Sequence, residues 1–166
     1  MELELLEEKH FQSLFEFEKN NRDWFEQFVP PRPPSYESFA SFRDITNSLI
    51  EQHEEGTGYF YVVVEDGEVI ARANIIDVTD DECEIGYRVC QKWSGKGVAS
   101  FAVKQLIEIA RDELDLRLLT AKAATNNPAS MRVLEKAEFV RVGQEKNAFV
   151  LNGKTLTLAC YEKTLN

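Results

Sequence analysis

A chain of 166 residues with 43% hydrophobic and 11% aromatic residues carries enough apolar side chain for one core, and its eight glycines and five prolines are too few for a disordered chain. Nineteen Lys plus Arg against 29 Asp plus Glu leave a formal charge of −10, so nucleic acid, which needs a basic footprint, is excluded as a partner. The acidic field suits cationic amines, polyamines and basic peptide tails, and it also keeps a protein soluble.

One domain spanning 1–166 is expected. The opening MELELLEEKH lacks the basic start and apolar run of a secretory leader, and no stretch approaches the roughly 20 apolar residues of a membrane span. A cytoplasmic protein with no membrane partner is therefore expected. Phe11, Leu14, Phe15 and Phe17 recur at helical spacing, and Pro30, Pro31, Pro33 and Pro34 form a connector. Ser35 then caps a helix carrying Phe39, Phe42, Ile45, Leu49 and Ile50, so the first fifty-odd residues read as mostly helical. His10 and His53 have no partner at useful spacing and read as surface residues.

From Tyr59 the pattern turns to β-rich runs: Tyr59 to Val64, an Asp66-Gly67 hairpin turn, Val69 to Val78, then Cys83 to Val89, an antiparallel meander. Val98, Phe101, Ala102, Gln105, Leu106, Ile109 and Ala110 form an amphipathic helix running to about Leu114. Leu116 to Ala123 is a strand parallel to the one before that helix, since a right-handed crossover is the economical topology. Asn127-Pro128 announces the helix of a second β-α-β unit, which turns Met131, Val133, Leu134 and Ala137 toward the sheet. Phe139 to Ala148 and Phe149 to Leu165 read as two long strands, with Asn152-Gly153 as a turn or bulge. Cys83, Cys90 and Cys160 are odd in number and without C-x-x-C spacing, so neither a disulfide framework nor a metal site is indicated.

Ahead of the long helix, Gly95 and Gly97 let the backbone turn so that unpaired N–H groups converge, with Lys92 and Lys96 alongside. That suits a phosphate, though a plain glycine turn fits the same spacing. An NTPase loop needs G-x-x-x-x-G-K-[ST], and only Lys96 separates the two glycines. A dinucleotide fold needs G-x-G-x-x-G, and Ser100 stands at the third glycine.

The run Ile85-Gly86-Tyr87-Arg88-Val89, then Gly95-Lys96-Gly97-Val98-Ala99, then Asn127 through Phe139, resembles the GNAT superfamily of acetyl-CoA-dependent N-acetyltransferases, more narrowly its RimJ/RimL branch. The expected class is α+β: a mixed, mostly antiparallel sheet of about seven strands with helices on both faces, its two central parallel strands splayed to hold coenzyme A. The resemblance implies that the amides of Gly95, Gly97, Val98 and Ala99, beside Lys92, Lys96 and Ser100, hold the pyrophosphate. It places Asn127 on the pantetheine arm and Ser130 near the sulfur. It also implies a protein N-terminal amine as acceptor, ribosomal or otherwise basic, with a small amine or polyamine as the alternative and a non-catalytic acyl-CoA sensor as another.

Acetyl transfer needs a neutral amine, a donor for the oxyanion and a proton for the thiolate, but no metal. A backbone N–H near Val89 is the candidate for the oxygen, Ser130 for the sulfur and Glu84, through a water, for the amine proton. Ser130 bonded to its own helix and Glu84 as a solvated strand residue are the plainer alternatives. Trp24, Phe25, Phe28 and Tyr36 form a candidate acceptor site for a cationic amine, with core packing as the alternative. The acidic residues of the branch are replaced by Val142 and Thr157, which puts protein N-terminal specificity in doubt. Glu138 stands where a glycine normally ends the helix. Both a monomer and a homodimer fit.

Overall fold

Asp66 and Gly67, with φ of 49° and 77°, supply the two left-handed residues a two-residue hairpin needs and join β2 (Tyr59–Glu65) to β3 (Glu68–Ile76). The computed structural model, which describes residues 1–166, continues the meander into β4 (Glu82–Val89), as the alternation predicts. Ahead of β2 the chain holds a strand that the helical reading omits, β1 (Glu2–Leu5), antiparallel to β2. Its Glu-Leu alternation is only four residues long, and both residue types are good helix formers.

Helices α1 (Phe11–Asn20), α2 (Arg22–Phe25) and α3 (Phe39–Glu55) follow β1. The cap of α3 is Ser38, not Ser35: a tight turn over Pro34–Tyr36 intervenes, and Ser41 N–H donates to Ser38 Oγ at 3.3 Å. Neither histidine is a free surface group. His10 is buried, its Nδ1 accepting from Glu7 N–H at 2.9 Å and its Nε2 lying 3.1 Å from Glu4. His53 Nε2 accepts from Phe60 N–H at 3.0 Å.

Beyond β4 come α4 (Val98–Glu108), which widens into a π-turn over Ile109–Glu113, then β5 (Leu118–Ala124) and α5 (Pro128–Lys136). Asn127 caps α5 through Ser130 N–H at 3.2 Å. The closing hairpin is β6 (Val140–Leu151) and β7 (Lys154–Thr164), turning at Asn152-Gly153, so the first of these strands runs through Phe149 rather than ending at Ala148. The sheet order is β1-β2-β3-β4-β5-β7-β6, with β7 inserted between the strands of the second β-α-β unit. β4 and β5 are the one parallel pair.

Alternate residues on β3 and β4 serve opposite faces. The cross-strand partners Arg72 and Arg88 reach Glu18 of α1, whereas Tyr87 reaches Ser130 of α5. Thus α1 and α3 cover one face, α4 and α5 the other, and Leu14, Ile75, Ile85, Leu106, Leu119 and Leu134 are enclosed between.

The helix end read from Glu138 is left-handed, at φ 68°, with Phe139 N–H donating to Leu134 O. Its side chain is 87% exposed and pairs with Lys163 at 3.7 Å. Glu138→Gly is expected to stabilise the protein by about 1 kcal/mol in a urea titration, because glycine adopts this conformation without a Cβ penalty. No gain would mean that the residue is not strained there.

Candidate active site

The parallel ladder between β4 and β5 is short. Glu82 to Ile85 pair with Leu118 to Ala121, and beyond them Gly86–Val89 have no partner on β5 while Lys122–Ala124 pair only with β7. Cys90 N–H donates to Ile70 O, so by the alternation of an antiparallel ladder the main-chain groups of Tyr87 and Val89 face away from β3, into the gap. The Val89 carbonyl is met there by the Trp24 indole N–H at 3.3 Å.

At the mouth of the gap, residues Gln91–Trp93 form a tight turn and Gly95 and Gly97 both take left-handed φ, 73° and 83°. Gly97 caps α4 with no side-chain bond, and the main-chain N–H groups of residues 95–100 donate to nothing within the chain. Six amides on one turn and helix entrance, with the α4 dipole behind them, make a concave donor surface. Lys96 Nζ lies 5.3 Å over the Trp93 ring, and Lys92 is exposed on the tight turn.

Asn127 uses Oδ1 for the cap and leaves its amide N–H groups free. Ser130 does not bond to its own helix: its Oγ lies 2.9 Å from the Tyr87 hydroxyl. Burial pushes the Tyr87 phenol up to about 12, against the bond to Ser130, which lowers it. This hydroxyl pair was not legible as such, since its members are 43 residues apart and meet only through the packing of α5.

Glu84 stands on the opposite face from Ser130. Burial raises its carboxyl, with Lys122, 3.8 Å away, opposing; Lys122 in turn pairs with Glu145 at 2.9 Å. The structure therefore gathers residues 95–100, Asn127 and Ser130 on the α4 and α5 side of the gap, with Glu84 across the sheet.

The aromatic group splits. Trp24 packs edge-on to Phe28 and reaches Val89, whereas Tyr36 is buried against Phe42. Phe25 and Tyr36 are each covered by a cation of the chain itself, Arg88 at 4.8 Å and Arg32 at 5.0 Å. Beneath them Glu18, 5% exposed, bonds to Arg72 at 2.9 Å and to Arg32 at 3.0 and 3.1 Å, with Arg88 at 3.6 Å. Burial would raise the Glu18 carboxyl, but Arg72, Arg32 and Arg88 outweigh it and hold it down at about 2.

The sheet is thus open between its two parallel strands, with free amides at the mouth and a hydroxyl pair inside. Residues 1–140 match the acetyltransferase (GNAT) domain, and the chain belongs to that family. The probable N-acetyltransferase YjcK of Bacillus subtilis (strain 168) is 29% identical over 141 residues, 82% of this chain and 78% of that one. The spermidine N(1)-acetyltransferase of Vibrio cholerae serotype O1 is 25% identical over 143 residues, 81% and 76% of the two chains. The ribosomal-protein-S5-alanine acetyltransferase of Vibrio fischeri superposes with a TM-score of 0.91 at 20% identity, over 98% of this chain and 91% of that one. The fold is thus the one the motif resemblance implied.

Proposed function

We propose that this acetyltransferase takes acetyl-CoA as donor and acetylates a primary amine, with a protein N-terminal amine ahead of a small amine or polyamine. The parting of β4 and β5 beside the free amides of residues 95–100 carries the reading. A ribosomal-protein alanine and spermidine are the acceptors named for two of the relatives. The covered faces of Phe25 and Tyr36 argue against a polyamine seated on those rings.

In this reading the amides of Gly95, Gly97, Val98, Ala99 and Ser100 hold the diphosphate, and Lys92 and Lys96 add charge. Asn127 donates its free amide to the pantetheine arm, whose own amides replace the β5 partners that Tyr87 lacks. The Val89 N–H donates to the thioester oxygen as charge builds on it. The amine nitrogen forms the new C–N bond and its proton passes through a water to Glu84. The C–S bond breaks toward the α5 face, and the sulfur takes the Ser130 proton as Ser130 takes one from the Tyr87 hydroxyl bonded to it; solvent then reprotonates Tyr87 and accepts the proton held by Glu84, which restores both groups.

The test follows free thiol during incubation with acetyl-CoA and a panel of amines, peptide N-termini and spermidine included. Peptide N-termini are expected to raise thiol release above the buffer rate. Ser130→Ala is expected to lower kcat about 100-fold and to change coenzyme affinity less than about twofold. Loss of affinity alone would make Ser130 a binding residue, and tight binding with no thiol release would mark a sensor.

A further inference from the structure

Three guanidiniums share one buried carboxylate on the acceptor side of the gap. Arg32 bonds both Glu18 oxygens and Arg72 bonds Oε2, whereas the Arg88 side chain makes no hydrogen bond and lies 3.6 Å from Glu18 Oε1. One anion against three cations leaves two positive charges uncompensated in a protein of net charge −10. A cavity of about 180 Å³ opens over Arg88 and Arg32, walled by Phe25 and Tyr36, and at its rim Lys19 and Arg22 stand with Glu26 and Glu37. Burial, and then Arg32, push the Arg88 guanidinium down to about 10, which is the mark of a charge short of partners.

Arg88 follows Tyr87 directly on the unpaired stretch of β4 and points to the face opposite Ser130. On that face the strand reads Glu84, Gly86, Arg88, and a Cβ added to Gly86 would meet nothing within 4 Å. A bare strip about 13 Å long therefore joins a carboxylate to a guanidinium with free donors. We propose that the acceptor is an amine bearing an anionic group, carboxylate or phosphate, read by Arg88 with Arg32, while its amine lies toward Glu84. This rests on the acetyltransferase reading and narrows its acceptor. The planar fork of Arg88 matches either anion with two parallel bonds, and the cations on Phe25 and Tyr36 repel an acceptor that is only cationic.

Matched pairs differing only in the anion test this: a peptide amide beginning Ala-Asp against Ala-Asn, alanine against alanine amide, and O-phosphoethanolamine against ethanolamine. The anionic member of at least one pair is expected to show kcat/KM about 10- to 100-fold higher, and the pair that does so names the source. Arg88→Met should reduce that ratio to about threefold or less, Arg88→Lys should recover part of it, and coenzyme affinity should hold in both, which shows that the variants are folded. Equal rates within every pair, a preference for spermidine, or a preference that survives in Arg88→Met overturns the proposal. A second readout needs no turnover: with CoA saturating, the N-acetylated Ala-Asp peptide amide, acetylalanine and acetylated O-phosphoethanolamine are titrated against their uncharged counterparts. Tighter binding of a charged member, lost in Arg88→Met, supports the inference; equal or absent binding in all three pairs overturns it. Absent thiol release with every amine would instead count against catalysis.

Discussion

Ser100→Asp is expected to raise the melting temperature and weaken coenzyme A at the same time. Ser100 is exposed in the first turn of α4, third after the Gly97 cap, where a carboxylate gains about 0.3–1 kcal/mol from the helix dipole. The same carboxylate lies beside the free amides of residues 95–100, so a diphosphate seated there meets like charge. At an effective dielectric constant near 20, a unit charge about 7 Å away costs about 2 kcal/mol, a loss of roughly 30-fold for each phosphate charge so placed. Titration calorimetry with CoA, beside a thermal melt, reads the two effects with opposite signs, which a misfolded variant cannot produce. The loss should shrink at 1 M salt, where the Debye length falls to about 3 Å, and the neutral Ser100→Asn should bind within about twofold of the parent. Unchanged affinity in Ser100→Asp would place the diphosphate elsewhere. Gly97 is the less informative position, because at φ 83° any side chain strains the backbone before it touches a ligand.

Short local signals account for most of what could be read ahead of the structure. Asp66-Gly67, Asn152-Gly153 and Asn127-Pro128 each act through their own φ angles or caps, and each sits where the pattern placed it. The glycine turn at Gly95 and Gly97 is of the same kind, and the left-handed end at Glu138 follows from one residue's conformation. Long-range partnerships were not legible. Period-two alternation along Ile85-Gly86-Tyr87-Arg88-Val89 divides those side chains between two faces, but nothing local says that α5 covers Tyr87 and α1 covers Arg88. The partners of His10 and His53 are nearer in the chain: Glu7 N–H three residues before His10, in a local turn, and Phe60 N–H seven residues after His53, across the turn from α3 into β2, so the surface reading of both overlooks local geometry. Closeness along the chain, around the prolines, groups Trp24 with Tyr36, and the guanidiniums that occupy Phe25 and Tyr36 come from β4 and from the connector.

Removing the Glu18 charge is expected to cost more stability than any other single change on the α1 face of the sheet. Arg72 is 3% exposed, and in Glu18→Gln its guanidinium, with Arg32 and Arg88 beside it, faces an amide that carries donors of its own. Breaking a buried pair from one side costs about 3–5 kcal/mol, a large share of the roughly 5–15 kcal/mol that holds a domain together. The melting temperature should fall by roughly 10 °C, and a urea titration should show a lower midpoint with an unchanged slope. Glu18→Leu combined with Arg72→Met should recover only part of the loss, because it removes the most deeply buried guanidinium while Arg88 and Arg32 still lack their carboxylate. The pH dependence has a definite sign. The Glu18 carboxyl sits at about 2 in the folded chain against an ordinary 4.5, so between those values the unfolded state binds more protons. Its contribution, about 3 kcal/mol from that difference, is complete above pH 4.5 and lost as the pH falls through 2. The stability gap between the parent and Glu18→Gln should therefore hold from neutral pH to about 5 and close across that window. A gap that stays constant down to pH 2 would mean that the three arginines do not act on this carboxylate.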